Sequence, residues 1–195
     1  MELCARMSEQ KIDQRVIAAC QAGDREAFRL LFEAHQDRVY SIAFHFSNDE
    51  AAAKDITQQV FLKLFTSITQ FRYDAEFTTW LHRMVVNVCL DEKRRLKRFV
   101  PFGEVVEVKE MVERKSQEDC YTQLEIADSV KEAIAGLKPK LRIAILLKYF
   151  EELSYDEMAQ VLGCSKGTVA SRLNRGHKML ARQLAHLRSE MVRGE

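Results

Sequence analysis

Apolar residues recur at a three- and four-residue spacing along most of this chain, and such spacing predicts helices with one buried stripe. The first stripe occupies residues 27–46 and includes Leu31, Val39 and Ile42. His35 falls on the same stripe. Because no second metal-binding side chain lies three or four residues from it, we interpret His35 as a core histidine rather than as a metal ligand.

The segment SNDEAA predicts the start of a second helix, with Ser47 or Asn48 as its N-cap and acids in its first turn. One side of this helix has a regular apolar stripe, made of Ile56, Val60 and Leu64. Leu62 and Phe65 lie on the opposite side. A helix that is apolar on two sides is either sandwiched in a core or presents one side to another protein. Spacing alone leaves both alternatives open.

The segment SITQFRYDAEF interrupts the helical period and predicts a loop, followed by a helix from about Phe77 to Arg98. Trp80, Arg83, Asn87 and Arg94 align along one flank of that helix. A solvated face with a partly buried tryptophan would explain this flank. The helix ends in KRRLKR, however, and such a basic terminus favours binding to phosphates.

Residues 99–121 lose the helical pattern and contain six acids against three bases, together with Pro101 and Gly103. This composition predicts a flexible acidic linker. Helical periodicity returns after it, and the apolar segment LRIAILLKYF predicts a central helix that begins near Pro139.

The C-terminal segment predicts a helix-turn-helix. Ser154 and Glu157 form a capping box for a short helix, and Gly163 is placed to end it in a left-handed conformation. Ser165 then caps a helix whose rear face carries Val169 and several leucines. Its front face is basic, and no Asp or Glu occurs from residue 158 to residue 189. A helix that enters the major groove of DNA has this composition.

Composition supports an all-α fold: the chain has 195 residues, of which only two are prolines and seven are glycines. The sequence has no apolar run of transmembrane length and no apolar signal-peptide core, so we expect a cytoplasmic protein without membrane insertion. The five cysteines lack CxxC spacing, and we expect reduced thiols rather than disulfides or zinc ligands. We also found no catalytic cluster, phosphate-binding glycine loop or metal-ligand spacing. We therefore expect no enzyme activity, cofactor, metal or small-molecule substrate.

Three motifs in order, DITQQVFLKLF, FTTWLHRMVVNVCLDEKRRLKR and SKGTVASRLNRG, resemble the extracytoplasmic function branch of sigma-70 RNA polymerase sigma factors. The resemblance covers about residues 24–184. It implies two small helical domains, residues 10–98 (region 2) and 124–190 (region 4), joined by a flexible linker at 99–123. It also implies a factor that binds core RNA polymerase and directs initiation at promoter DNA, and that is held inactive by an anti-sigma factor.

The resemblance assigns site residues in three groups. The core-polymerase contacts are Asp55, Gln58, Gln59, Phe61, Leu62 and Phe65. The residues that recognise and melt the minus-10 element are Arg72, Tyr73, Trp80, Arg83, Asn87, Arg94 and Arg95. The residues that read the minus-35 element are Lys166, Thr168, Ser171, Arg172, Arg175 and Lys178. Ala170 departs from the Lys or Arg of many members, so the promoter sequence stays open.

One alternative from another class is a stand-alone helix-turn-helix regulator that binds DNA as a dimer. It would explain the C-terminal segment equally well. It would leave the two-sided helix at residues 51–66 and the Trp80 flank without a role.

Overall fold

The structure, a computed structural model, describes residues 14–99 and 123–187, and every regular element within these ranges is helical. The all-α prediction is therefore confirmed for these residues, whereas residues 100–122 of the expected acidic linker lie outside them. The elements in chain order are α1 (Gln14–Gln21), α2 (Arg25–Ser47), α3 (Glu50–Ser67), a 3-10 turn (Ile68–Gln70), α4 (Phe77–Phe99), α5 (Gln123–Gly136), α6 (Pro139–Tyr149), α7 (Tyr155–Leu162) and α8 (Lys166–Gln183).

Helix α6 lies at the centre of the described residues. All seven side chains from Leu141 to Leu147 are buried, and α6 contacts α2, α4, α7 and α8. A helix that is apolar around its whole circumference must be surrounded by other elements. The prediction that LRIAILLKYF forms a central helix is confirmed.

The N-terminal half consists of α1–α4, and aspartates cap the N-termini of α2 and α3. Asp24 accepts backbone N–H groups of Glu26 and Ala27 at the start of α2. At the start of α3 the N-cap is Asp49, which accepts the N–H of Ala52 at 2.7 Å. The assignment of Ser47 or Asn48 as this cap was wrong.

The reason for this difference is that α2 extends further than its apolar stripe. Ser47 is still helical, and its hydroxyl donates to the carbonyl of Ala43 at 2.9 Å. Asn48 then ends α2 at φ +56°, a left-handed conformation that asparagine tolerates better than most residues. The predicted loop also begins later than expected, because α3 continues through Ser67 and buried Ile68 starts the 3-10 turn.

The C-terminal half, α5–α8, follows the predicted local signals. Ser154 and Glu157 form both hydrogen bonds of a capping box at the start of α7. Gly163 ends α7 at φ +58°, and the Ser165 hydroxyl accepts the N–H of Thr168 at the start of α8. These predictions are confirmed.

Buried polar contacts join the two halves. The Glu151 carboxylate, just after α6, accepts hydrogen bonds from Arg38 on α2 and from His82 on α4. The Arg142 guanidinium donates to the carbonyl of Phe46 near the end of α2 and to that of Leu137. The apolar core is also continuous across the halves. Residues 14–99 and 123–187 therefore pack against each other.

His35 is buried against the ring of Phe77, as the apolar stripe predicted. Its Nε2 atom has no hydrogen-bond partner among the described residues. Burial and the charges of Arg38 and His82 lower the pKa of His35 to about 4. Cys20, Cys89 and Cys164 are free thiols, and burial raises the pKa of Cys89 to about 12.

We predict that His35→Leu makes the protein less sensitive to acid. The folded state does not protonate His35 until about pH 4, whereas unfolded histidine titrates near 6.5. Protons therefore favour the unfolded wild type as the pH falls through this window, by about 2–3 kcal/mol between pH 7 and 4.5. Urea unfolding at both pH values should show that His35→Leu loses less stability than wild type, and parallel losses would contradict the assignment.

Candidate functional site

An exposed apolar patch lies on α3, on the side opposite its buried stripe. Leu62 is 60% exposed and Phe65 is 55% exposed, and Phe65 meets Phe28 of α2 edge-on with 5.0 Å between ring centroids. Asp55 and Gln58 are exposed on the same helix. We call Asp55, Gln58, Leu62 and Phe65 the α3 surface. Large apolar side chains exposed together are typical of a protein-binding site.

Two residues assigned with this group by resemblance are less accessible. Phe61 is buried, and its ring packs on Phe32 at 4.6 Å between centroids. Gln59 is half-buried. Phe61 therefore supports the α3 surface from below rather than forming its outer layer.

Four aromatic rings cluster around the loop between the 3-10 turn and α4, residues 71–76, which we call the aromatic loop. The Phe71 ring lies 4.9 Å from Tyr73, 5.6 Å from Phe77 and 5.3 Å from Trp80. Phe71 and Phe77 are buried, whereas Tyr73 is exposed and Trp80 is half-buried. Tyr73 has φ +61°, a strained conformation for a bulky residue. Such residues cluster at functional sites.

Gln21 of α1 holds this loop in place. Its side-chain amide donates to the carbonyls of Ile68 and Phe71 at 3.0 and 2.8 Å, and its carbonyl accepts the Tyr73 hydroxyl at 3.1 Å. Gln21 is not among the residues predicted from the sequence. No local pattern identifies it, because its partners lie about 50 positions away along the chain.

The predicted flank of α4 is accessible. Arg83, Asn87 and Arg94 are exposed. Arg94 pairs with Asp91 at 3.0 Å and Arg95 pairs with Glu92 at 2.8 Å, both within the helix. Arg83 Nη2 lies 3.5 Å from the position that a Cβ would take on Gly163, so this flank approaches the turn between α7 and α8.

Helix α8 presents its acid-free face to solvent while its other face is buried. Val169, Leu173 and Gly176 are buried, and a Cβ on Gly176 would lie 3.1 Å from the Ile145 side chain of α6. On the front, Ser171, Arg175 and Lys178 are exposed, whereas Thr168 and Arg172 are half-buried. The predicted division of this helix into two faces is confirmed.

A groove of about 710 Å³ separates the front of α8 from the C-terminal part of α4 and the start of α6. We call it the basic groove. Its lining includes these lysine and arginine side chains: Lys93, Arg94, Lys138, Lys140, Arg172, Arg175, Lys178 and Arg182. Burial and the charge of Arg142 lower the pKa of Lys93. A concave surface lined by one sign of charge attracts polyanions.

The structure therefore groups the predicted residues only in part. Arg94 and four of the α8 residues (Thr168, Arg172, Arg175, Lys178) share the basic groove. Lys166 instead pairs with Asp156 of α7, and Arg72 and Tyr73 lie on the aromatic loop. Within the described residues, no cluster of His, Cys, Asp or Glu could hold a metal ion, and no helix is long and apolar enough to cross a membrane.

Comparison with protein families gives two matches in chain order. Sigma-70 region 2 matches residues 31–99, and Sigma-70, region 4 matches residues 127–180.

Curated relatives align along nearly the whole chain. The ECF RNA polymerase sigma factor SigW of Bacillus subtilis is 31% identical over 173 residues, which are 85% of this chain and 92% of the relative. The ECF RNA polymerase sigma factor SigM of Mycobacterium tuberculosis is 35% identical over 178 residues, covering 91% and 87% respectively. The ECF RNA polymerase sigma-E factor of Escherichia coli K12 is 32% identical over 184 residues, covering 89% and 95%.

Two solved structures share the fold. CnrH in complex with the cytosolic domain of CnrY superposes with a TM-score of 0.65 at 25% identity, over 89% of this chain and 97% of CnrH. The sigma factor RpoE in complex with the anti-sigma factor NepR from Bartonella quintana gives a TM-score of 0.64 at 23% identity, over 81% and 96%.

We predict that Gly163→Ala destabilises the protein by about 1–2 kcal/mol, because Gly163 is left-handed and a Cβ is disfavoured in that conformation. The loss comes from backbone strain and not from a clash, since the nearest atom would be 3.5 Å away. Gly163→Asn is the matched control and should lose less, because asparagine tolerates this conformation. Chemical denaturation of the three proteins measures the difference, and equal losses for both variants would argue against strain.

Proposed function

This chain is a member of the ECF sigma factors of the sigma-70 family, and from this premise we propose how its surfaces act in promoter-specific transcription initiation. The factor binds core RNA polymerase, reads the minus-35 element as duplex and melts the minus-10 element. It acts through binding, without catalysis of its own, in the cytoplasm where polymerase and chromosome meet. We keep the division into domains at 10–98 and 124–190 as part of this proposal.

The observation that best supports this function is the occurrence of regions 2 and 4 in order within one chain. A stand-alone helix-turn-helix regulator needs only the second. The accessible α3 surface and the aromatic loop both lie within the first, so the regulator would leave them without a role.

We assign core-polymerase binding to the α3 surface. Its apolar residues Leu62 and Phe65 are exposed, whereas most other large apolar side chains in the described ranges are buried or half-buried. The flanking Asp55 and Gln58 supply polar groups at the rim, as in many protein interfaces.

We assign minus-10 melting to the aromatic loop and the α4 flank. An unpaired base flipped out of the duplex needs a stacking pocket, and aromatic side chains provide it. Tyr73 and Trp80 are the accessible rings of the cluster. Arg83 and Asn87 lie further along the same flank and can follow the single strand, while Arg94 and Arg95 neutralise phosphates.

We assign minus-35 recognition to α8. Its N-terminus is capped by Ser165 and carries no acid, so its free amides and its front face can both meet DNA. Arg175 is exposed at the centre of this face, and its Nε donates to the carbonyl of Ser171 at 3.2 Å, which orients the guanidinium. A bidentate arginine is the commonest reader of guanine.

An anti-sigma factor is the proposed regulatory partner. CnrH and RpoE, which share this fold, were each solved with a protein bound, and NepR is named an anti-sigma factor. We propose a partner of the same kind for this chain. Such a partner would cover the basic and apolar surfaces, which are exposed when the protein is not bound to polymerase.

Transcription with purified components tests the function. Together with core polymerase, the chain should give runoff transcripts from specific start sites, and mapping of these start sites identifies both promoter elements. Tight binding of duplex operator by the chain alone, with no specific transcript when core is added, would instead support the stand-alone regulator.

Phe65→Ala should weaken binding to core polymerase about tenfold or more, because exposed aromatic anchors dominate interfaces. The melting temperature should change little, since Phe65 is 55% exposed. Leu64→Ala is the contrasting variant: Leu64 is fully buried, and its loss should cost about 2–5 kcal/mol of stability. A large drop in the melting temperature of Phe65→Ala would show that the side chain belongs to the core.

Arg175→Ala and Asn87→Ala should separate the two promoter steps. Loss of Arg175 should weaken binding to the minus-35 duplex by about 1–3 kcal/mol. Loss of Asn87 should spare that binding and reduce the permanganate reactivity of the melted region in the complex with polymerase. Unchanged permanganate footprints in Asn87→Ala would remove that residue from the melting surface.

A further inference from the structure

Four cationic side chains that line the basic groove have no role in the proposed promoter contacts: Lys93, Lys138, Lys140 and Arg182. No Asp or Glu of the described residues lines the groove. Arg94 pairs with Asp91 at 3.0 Å, and within the described ranges the other lining cations have no acid at ion-pair distance. The groove therefore concentrates more positive charge than the promoter assignment uses.

The N-terminus of α6 forms part of the groove wall and adds to this charge. Lys138 is its N-cap residue, a position where Ser, Thr, Asp or Asn usually supplies an acceptor. No side chain caps the helix, and its first turn contains no acid but a second lysine, Lys140. Positive charge at the N-terminus of a helix opposes the macrodipole, so an anion bound here would be favoured by the lysines and by the helix together.

Lys93 contributes a half-buried cation from α4 on another wall of the groove. Burial and the charge of Arg142 lower the pKa of this side chain, so its charged form is held without full compensation. A negative charge in the groove would stabilise it.

The size and the floor of the groove suit a small ligand. Its volume of about 710 Å³ falls within the roughly 300–1,000 Å³ typical of small-molecule sites. Leu90, Pro139, Leu141 and Met179 supply an apolar lining between the cations. A ligand with a strongly anionic part and an apolar part would match both.

We propose that the basic groove binds an oligophosphate, a chain of consecutive phosphates carried by a nucleotide or by inorganic polyphosphate. Consecutive phosphates can neutralise cations of α4, α6 and α8 together, which a single phosphate cannot. The apolar lining favours the nucleotide, because its base and ribose can cover these side chains. The site goes beyond promoter recognition and does not depend on it. One consequence does rest on the proposed function: the bound ligand would compete with the minus-35 duplex for Arg172, Arg175 and Lys178.

Isothermal titration calorimetry of the full chain, without magnesium and at constant ionic strength, tests the site. ATP should bind about tenfold more tightly than AMP or better, with ADP between them, because each phosphate adds attraction to the cations. Inorganic tripolyphosphate identifies the source of the ligand. Weaker binding than ATP indicates a nucleotide, whereas equal or tighter binding indicates inorganic polyphosphate.

The double variant Lys138→Gln/Lys140→Gln should weaken ATP binding by about tenfold or more. Both side chains are exposed, so the fold should be retained, which circular dichroism checks. Lys63→Gln/Lys131→Gln is the matched control, since it removes the same charge from two exposed lysines outside the groove. Its affinity for ATP should stay within about twofold of wild type, because distant exposed charges are screened.

The outcomes separate this site from general attraction to anions and from the proposed function. Equal affinity for AMP and ATP, or equal losses in the two double variants, would overturn the site. ATP should also raise the melting temperature of wild type more than that of Lys138→Gln/Lys140→Gln, because a ligand of the native state stabilises it. ATP binding by a chain that gives no specific transcripts would retain the site and refute the proposed function. Specific transcripts from a chain that binds none of these phosphates would do the reverse.

Discussion

Burial of α6 on all sides is the constraint on which the rest of the structure depends. Its run of apolar residues can be removed from water only if helices from both halves surround it. The Arg142 guanidinium, buried within the same helix, then donates to the carbonyl of Phe46 on α2. The positions of α2, α4, α7 and α8 follow from this centre, and so do the directions in which their accessible faces point.

Local signals in the sequence were sufficient for most of the helices. Capping box, left-handed glycine and helical period depend on residues within a few positions of each other, and these predictions were confirmed for α7 and α8. Errors arose where a helix extends beyond its apolar stripe, as at Ser47 and Ser67. Hydrogen bonding of the backbone, rather than burial, decides where such a helix ends.

Side chains that contact distant parts of the chain could not be predicted. Glu151 directly follows the apolar segment LRIAILLKYF, and its partners lie 69 and 113 positions away. Exposure likewise needs coordinates: Phe61 and Phe65 share one motif, yet only Phe65 is accessible. The candidate surfaces were thus predicted by residue type, while their accessibility and mutual placement required the fold.

The three hydrogen bonds of Gln21 lower the conformational entropy of the aromatic loop before any ligand binds. Because α1 already fixes two carbonyls and the Tyr73 hydroxyl, the loop has little conformational freedom left to lose on binding the unpaired base that we propose as its ligand. Preorganisation of this kind increases affinity without adding any contact to the ligand. The affinity for an unpaired base would then depend partly on Gln21, a residue that does not contact the base. Gln21 lies in α1, which precedes the matched family region.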